Sequence, residues 1–261
     1  MLLEARNISK TFPGRQRATP VHAVKDVSLH ARPGEFVAIV GESGSGKSTV
    51  ARMLLDLIPV TSGTVELDGI RIASMNRRER WGYRRSVQAV LQDPAGSLNP
   101  RKRVQQALGE VIRFHGLASR PSDVRALAVE ALHQVGLSPA EPLLDRFPHE
   151  LSGGQRQRVL IARALVLNPS IIVADEAVSA LDASVKAGVL RVMADLKDSL
   201  GVGYVFITHD LAIVEKVADR VYVMRAGEVV EEGTTEAVFA NPAHEYTRTL
   251  LAATPVLPPL K

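Results

Sequence analysis

A glycine-rich stretch at residues 41–49 is the feature that most constrains the fold of this chain. It reads Gly-Glu-Ser-Gly-Ser-Gly-Lys-Ser-Thr and fits the pattern G-x-x-x-x-G-K-[ST], between the apolar run at 36–40 and a helical pattern. Glycines let the backbone wrap tightly, so that its N–H groups and the N-terminus of the following helix can face an anion. The stretch therefore predicts a strand–loop–helix unit that binds phosphate groups.

The side chains of this phosphate loop indicate which ligand it binds. Lys47 can bridge the β- and γ-phosphates of a nucleotide, and the hydroxyl of Ser48 can ligate Mg²⁺. The candidate nucleotide-binding residues of the loop are Gly41, Glu42, Ser43, Gly44, Ser45, Gly46, Lys47, Ser48 and Thr49. The loop therefore predicts binding of a nucleoside triphosphate together with Mg²⁺.

Apolar runs of about five residues alternate with longer helical patterns along the chain. The runs that predict strands are 36–40, 87–91, 170–174, 204–208 and 220–224. Several are apolar on both faces, as parallel strands covered by helices are. Shorter runs at 2–9, 24–31, 64–67 and 228–232 predict antiparallel strands at one side. We therefore expect an α/β fold with a mainly parallel central sheet and an antiparallel β subdomain.

The middle of the chain changes character, because residues 94–150 contain no convincing strand. Apolar stripes at 104–112 and 124–135 have helical spacing, with Ser122 as the expected N-cap of the second helix and Gly136 at its end. We expect a helical subdomain at about 94–155, inserted in a domain over residues 1–239, and a proline-rich tail over 240–261.

Composition excludes several classes of protein. There is no cysteine, so disulfides and thiolate metal sites are excluded, and a reducing compartment is the expected setting. No run approaches the about 18–20 apolar residues of a membrane-spanning helix, and the N-terminal residues do not resemble a signal peptide. The net charge of +4 is mild and would suit contact with a membrane surface or nucleic acid, but it favours a solvated basic face.

Two carboxylates follow the apolar run at 170–174, at the edge where parallel sheets place ligands. Asp175 is expected to hold Mg²⁺, directly or through water. Glu176 points elsewhere and is expected to polarise an attacking water as a general base. Such a pair alone could be a solvated acidic loop, but beside a phosphate loop it indicates hydrolysis.

A second glycine-led helix begins at residues 151–155, which read Leu-Ser-Gly-Gly-Gln. Ser152 is the expected N-cap, and Gly153 and Gly154 expose backbone N–H groups at the positive end of the helix. These residues by themselves fit an anion site and an ordinary helix start about equally well.

The order and spacing of these motifs resemble the ATP-binding cassette (ABC) ATPases over about residues 2–239. The resemblance implies a P-loop NTPase core of RecA type and a head-to-tail dimer. In such a dimer, the signature of one subunit contacts the γ-phosphate of ATP held by the phosphate loop of the other. The signature residues here are Ser152, Gly153, Gly154 and Gln155.

Other site residues are implied by the resemblance alone. Phe12 matches the aromatic residue that stacks on adenine, and Gln92 matches the glutamine that contacts Mg²⁺ and water. Asp182 closes the loop at 179–182 that crosses the dimer interface. His209 matches the histidine that contacts the γ-phosphate. The implied catalytic residues are Glu176, His209, Gln92 and Lys47, and the implied metal ligands are Ser48, Gln92 and Asp175.

Two further strings, at 92–104 and 241–248, resemble the dipeptide, oligopeptide and nickel importer ATPases, in particular the subunits that carry Asn-Pro-Arg, here residues 99–101. This resemblance implies two transmembrane permease subunits, a paralogous ATPase partner (with a homodimer as the alternative) and, indirectly, an extracytoplasmic solute-binding protein. The chain would then lie peripherally on the cytoplasmic face of the inner membrane. A di- or oligopeptide is the first expected cargo and nickel the second.

Two alternatives share the catalytic motifs. An exporter ATPase differs only in the strings at 92–104 and 241–248. A non-transport ABC ATPase would act on ribosomes or nucleic acid, and the basic stretch at 77–85 could serve it. Such proteins usually carry two cassettes or a long coiled coil, so the importer is favoured. Whether the chain is separate or one half of a tandem ATPase stays open.

Overall fold

The computed structural model describes residues 1–14, 19–91 and 94–253. Its strands are β1 (Leu3–Phe12), β2 (Val21–Ala31), β3 (Phe36–Val40), β4 (Ser62–Leu67), β5 (Ile70–Arg71), β6 (Val87–Val90), β7 (Ile171–Asp175), β8 (Gly203–Ile207), β9 (Arg220–Arg225) and β10 (Glu228–Thr234). Its helices are α1 (Lys47–Leu54), α2 (Arg77–Ser86), α3 (Pro94–Ser97), α4 (Val104–Phe114), α5 (Pro121–Gln134), α6 (Glu141–Leu144), α7 (Gly153–Leu165), α8 (Ala183–Leu200), α9 (Leu211–Val217), α10 (Thr235–Ala240) and α11 (Glu245–Ala252). The predicted α/β fold is confirmed.

The central sheet has the strand order β10-β9-β3-β8-β7-β6. Its strands pair in parallel except β10, which pairs antiparallel with β9 at one edge. β3, β7 and β8 are buried along their whole length, as strands covered on both faces are. The predicted mainly parallel sheet is therefore confirmed, and its parallel strands differ from the predicted runs by at most one residue at each end.

A second sheet is antiparallel, with the strand order β2-β1-β4-β5. The runs predicted at 2–9, 24–31 and 64–67 lie in this sheet. The run at 228–232 forms β10 in the central sheet instead. Ala226 and Gly227 make a two-residue turn with φ of 49° and 90°, and such a turn folds a strand directly back on its predecessor. This short turn pairs β10 with β9 in the central sheet, where the carbonyl of Gly227 still accepts the N–H of Lys25 on β2 at 2.8 Å.

Two cores fix the phosphate loop from opposite sides. One contains Leu3 and Val27 of the antiparallel sheet, Val50 of α1 and Val37 of β3. The other packs α9, α10 and α11 against the strands β3 and β9, with Val40 and Val223 among its buried side chains. Because β3 contributes to both cores, the backbone that leads into the loop is immobilised on each face.

The described residues between β6 and β7 form helices, and α4, α5 and α7 pack together around Leu108, Val124, Leu132 and Val159. The expectation that Ser122 caps α5 is wrong. The helix begins two residues earlier than that cap implies, with Arg120 in the capping position and Pro121 as its first residue. Proline fits the first helical position because its fixed φ is already helical and it has no N–H to satisfy. In the described parts of the chain, no helix is both long enough and apolar enough to cross a membrane.

The hydroxyl of Tyr204 on β8 provides a test of the core. The side chain is fully buried between the central sheet and its helices, and its oxygen has no hydrogen-bond partner among the described residues. An unpaired buried hydroxyl costs about 1–3 kcal/mol. We expect Tyr204→Phe to raise the free energy of unfolding by about 1 kcal/mol, as measured by urea denaturation.

The matched control is Tyr222→Phe on β9. Tyr222 is equally buried, but its hydroxyl accepts a hydrogen bond from the backbone N–H of His30 at 3.3 Å. Its removal is expected to lower the free energy of unfolding by about 1 kcal/mol. A destabilised Tyr204→Phe variant would contradict the assignment of an unpaired hydroxyl.

Candidate active site

The phosphate loop leaves the buried strand β3 at Gly41 and enters α1 at Lys47. Gly41 and Gly46 have φ of 145° and 105°, a backbone region that residues other than glycine avoid. A Cβ atom on Gly41 would collide with the carbonyl oxygen of Met224, and one on Gly46 with that of Ala23. The loop is therefore wedged between neighbouring strands, and only glycine fits at its two ends. Glu42, Ser43 and Gly44 form its exposed tip, and Thr49 donates its N–H back to Gly46 at 3.0 Å.

Lys47 turns its ammonium group back into the loop. The Nζ atom donates to the carbonyl oxygens of Gly41 at 2.8 Å and of Glu42 at 2.7 Å, and to the hydroxyl of Ser45 at 3.3 Å. The residue is only 5% exposed, and this burial lowers the pKa of Lys47. A buried cation enclosed by a glycine-rich loop is suited to bind a phosphate group. The negative charge of the phosphate would offset the cost of keeping the ammonium group away from water.

Ser48 and Asp175 meet next to this cation. The Ser48 hydroxyl donates to Oδ1 of Asp175 at 3.0 Å, at the point where β7 ends. Burial raises the pKa of Asp175, and the hydrogen bond from Ser48 opposes that shift. A hydroxyl and a carboxylate are the hard oxygen ligands that Mg²⁺ prefers, together with phosphate oxygens. The donor set that the sequence predicts for Mg²⁺ therefore fits that ion.

Glu176 adopts a conformation that the sequence does not reveal. Its φ is 48°, in the left-handed region, where a residue other than glycine stores strain. Its N–H donates to the carbonyl of Ile207 at 2.9 Å, and its carbonyl accepts from the N–H and hydroxyl of Ser179 at 3.1 and 3.0 Å. These bonds aim its side chain toward His209, whose Nδ1 lies 3.6 Å from Oε1 of Glu176. These two of the four predicted catalytic side chains are therefore neighbours.

The signature at residues 152–155 begins α7 with reciprocal hydrogen bonds. The Ser152 hydroxyl accepts from the N–H of Gln155 at 3.2 Å, and Oε1 of Gln155 accepts from the N–H of Ser152 at 2.9 Å. This capping box matches the predicted N-cap. A Cβ atom on Gly154 would collide with the side chain of Val185, so glycine permits close approach of α7 and α8. A cavity of about 350 Å³ adjoins Ser152 and Gly154.

The signature does not reach the phosphate loop of its own chain. Among the described residues, no hydrogen bond or ion pair joins 152–155 to 41–49. Gly153 approaches Leu181 instead, beside the loop at 179–182. Asp182 caps α8, accepting the N–H of Val185 at 3.0 Å and the hydroxyl of Ser184 at 2.9 Å. The hydrogen bond from Val185, then that from Ser184, lowers the pKa of Asp182.

Two predicted residues lie at the margins of this site. Phe12 ends β1 and is 36% exposed as a residue, and the ammonium of Lys10 lies 5.3 Å from the centroid of its ring. An exposed ring can accept a stacked base. Gln92 lies outside the described residues.

Two contacts to the phosphate loop are not predicted by the sequence. The N–H of Gly227 donates to the carbonyl of Ser45 at 3.0 Å, and the N–H of Glu42 donates to the hydroxyl of Tyr246 at 3.1 Å. The string at 241–248, which contains Tyr246, is visible in the sequence. Nothing in its spacing indicates that it folds back onto the loop.

Comparison with protein-family models identifies two matching regions. A family described as "ABC transporter" matches residues 24–179. A second, described as "Oligopeptide/dipeptide transporter, C-terminal region", matches residues 230–261.

Among curated proteins, the chain is 46% identical over 263 residues to the glutathione import ATP-binding protein GsiA of Salmonella paratyphi A (strain ATCC 9150 / SARB42). It has the same identity to the protein of that name from Escherichia coli (strain K12). Each alignment covers 99% of this chain and 42% of the relative. The chain therefore spans less than half the length of these relatives.

Solved structures show the same architecture. A dimeric post-hydrolysis state of the ATP-binding cassette MJ0796, bound to ADP and Pi, superposes with a TM-score of 0.77 at 31% identity, covering 89% of this chain and 98% of that one. The cbiO1 protein of Clostridium perfringens, part of the ABC transporter complex cbiONQ, has a TM-score of 0.78 at 29% identity. That match covers 92% of this chain and 90% of the other.

Asp175 offers a test of the electrostatics of the site. Its pKa is raised by burial, so its charged form opposes folding at neutral pH. We expect Asp175→Asn to raise the melting temperature of the nucleotide-free protein at pH 7. The gain should shrink as the pH falls through the raised pKa and vanish below the unfolded value of 3.8, where both states are protonated.

Asp182→Asn is the control of opposite sign. Because its hydrogen bonds lower the pKa of Asp182, the charged form supports folding above the unfolded value, and the variant should be less stable at pH 7. Thermal unfolding of the wild type and both variants between about pH 3 and pH 7 measures both effects. An Asp175→Asn variant no more stable than the wild type at pH 7 would contradict the assigned cost of burial.

Proposed function

This chain belongs to the ABC transporter family, and from that premise we propose that it hydrolyses ATP as the energy-coupling subunit of an importer for di- or oligopeptides. The observation that carries the proposal is the convergence of one buried lysine and two pairs of side chains at one edge of the central sheet. Lys47 lies in the phosphate loop, Ser48 is bonded to Asp175, and Glu176 adjoins His209.

Each group has a role in attack of water on the γ-phosphate of ATP. Lys47 redirects part of its hydrogen bonding from the loop to phosphate oxygens and neutralises their charge. Ser48 and Asp175 would hold Mg²⁺, and the bound ion would offset the negative charge of the phosphates. Glu176 orients the attacking water and accepts its proton, while His209 donates a hydrogen bond to the γ-phosphate. Phe12 stacks on the adenine, and Gln92 contributes to the metal and water positions.

A second cassette completes the site. In the described part of the chain, the signature residues Ser152 and Gly154 make no hydrogen bond or ion pair with the phosphate loop, and a helix start such as theirs directs backbone N–H groups at an anion. We infer that this surface, with Gly153, Gln155 and Asp182, meets the nucleotide of a partner cassette head to tail. The dimeric form of the related MJ0796 cassette supports this arrangement. A paralogous ATPase is the proposed partner, with a second copy of this chain as the alternative.

The C-terminal region supports peptide as the cargo class over nickel. Its family is described as that of oligopeptide and dipeptide transporters, and the GsiA relatives are named for glutathione import. Glutathione is itself a small peptide. The strings at 92–104 and 241–248 support the same branch and disfavour an exporter.

The remaining partners follow from this class. Two transmembrane permease subunits bind the chain at the cytoplasmic face of the inner membrane, and an extracytoplasmic solute-binding protein delivers the peptide to them. ATP closes the two cassettes and hydrolysis reopens them. The permeases thereby open alternately to the two sides of the membrane. Nucleic acid is not a partner.

Glu176 is the residue that tests the chemistry. We expect Glu176→Gln to bind ATP, to release phosphate about 10²–10⁴-fold more slowly, because the general base is lost, and to accumulate the closed dimer. Phosphate release and size-exclusion chromatography with ATP measure these two effects. The control is Glu215→Gln, an exposed carboxylate on α9 outside the site. Unchanged turnover in Glu176→Gln would exclude Glu176 as the base.

Purification from the native membrane tests the transport function. The tagged chain should bring with it two permeases and a second ATPase, identified by mass spectrometry, and its ATPase rate should rise with those partners and the peptide-loaded binding protein. Recovery with ribosomal proteins, or stimulation by RNA or DNA, would preserve the ATPase and overturn the importer.

A further inference from the structure

The C-terminal helix α11 touches the phosphate loop through one side chain. Tyr246 is 6% exposed, and its hydroxyl accepts the N–H of Glu42 at 3.1 Å. The guanidinium of Arg225 lies over its ring, 4.9 Å from the centroid. Residues 42 and 246 are 204 positions apart, so this contact exists only in the folded chain. It links the region at 230–261 to the loop, although the match to the ABC transporter model ends at residue 179.

Glu42 connects Tyr246 to Lys47, the lysine of the phosphate loop. Its N–H is held by Tyr246, and its carbonyl accepts the Nζ of Lys47 at 2.7 Å. The two sides of one residue are therefore occupied by the hydroxyl and by the ammonium. Because a peptide plane is rigid and neighbouring planes share a Cα atom, fixing the N–H limits where the carbonyl of Glu42 can lie. The position of Tyr246 thereby bears on the position of Lys47.

Tyr246 is itself held firmly from below. The carboxylate of Glu231 on β10 accepts the N–H groups of Ala243 at 2.7 Å and of His244 at 3.0 Å. Nδ1 of His244 then accepts the N–H of Tyr246 at 3.1 Å, which caps α11. The hydroxyl therefore reaches the loop from a helix start anchored to the central sheet.

We propose that Tyr246 is a positioning residue for ATP binding, through which the C-terminal region holds the phosphate loop in its nucleotide-ready shape. The proposal rests on the proposed function, since it requires the loop to bind ATP. The ring of Tyr246 packs with Val40 and Val223 in the core beside the loop, so ring and hydroxyl have separable tasks. The ring stabilises the fold, and the hydroxyl restrains Glu42.

Tyr246→Phe separates these tasks, because it keeps the ring under Arg225 and removes only the hydroxyl. Loss of one hydrogen bond that restrains the loop should weaken ATP and ADP binding about fivefold. We expect the KM for ATP to rise by the same factor, with kcat at saturating ATP close to that of the wild type. Calorimetric titration of the full chain with Mg-ATP and Mg-ADP gives the affinities, and phosphate release gives KM and kcat.

Tyr222→Phe is the matched control for a general loss of stability. Tyr222 is 1% exposed and its hydroxyl also accepts a backbone N–H, that of His30, which is outside the loop. The control should melt earlier and keep the ATP affinity of the wild type. Nucleotide affinity in Tyr246→Phe equal to that of the wild type, or an equal loss in both variants, would overturn the positioning role. A wild type that does not bind ATP would instead overturn the proposed function.

Discussion

The contacts of one buried ammonium group with loop carbonyls hold the candidate active site together. Lys47 cannot reach the carbonyl oxygens of Gly41 and Glu42 unless the loop curls fully back on itself. That curl requires glycine at both ends, where the loop passes against the carbonyls of Met224 and Ala23. Those carbonyls in turn belong to strands of two different sheets. The packing of the two sheets therefore determines where the ammonium group of Lys47 lies.

The carboxylates beside this cation show that the site is arranged for charge that the nucleotide brings. Burial raises the pKa of Asp175 and lowers that of Lys47, so the charged form of each side chain is less stable in the folded chain than in water. Glu176 adds backbone strain, with φ of 48°. Such costs are tolerated where surrounding hydrogen bonds over-determine the conformation, as those from Glu176 to Ile207 and from Ser179 to Glu176 do. Bound Mg²⁺ and phosphate would offset the two charges.

Much of the fold could be predicted because its signals are local. The run at 36–40 is recognisable as a strand because it is short, apolar throughout and flanked by glycines, and Ser152 caps α7 because its partner Gln155 lies three residues away. Prediction failed where a nearby residue set the start of a helix or the pairing of a strand. Pro121 started α5 ahead of Ser122, and the short turn at residues 226–227 drew β10 into the central sheet. The roles of the site residues stay predictions of chemistry and family likeness.

The sequence by itself determined the phosphate loop, the alternation of strands and helices, and the chemical types gathered at the strand ends, since each depends on residues close together in the chain. Only the tertiary structure decided which of those groups meet. It paired Ser48 with Asp175, which are 127 positions apart, and brought the hydroxyl of Tyr246 to the amide of Glu42. It also separated the signature from the phosphate loop of the same chain. Contacts between distant segments depend on how the sheets and helices pack, and no local pattern of residues encodes that geometry.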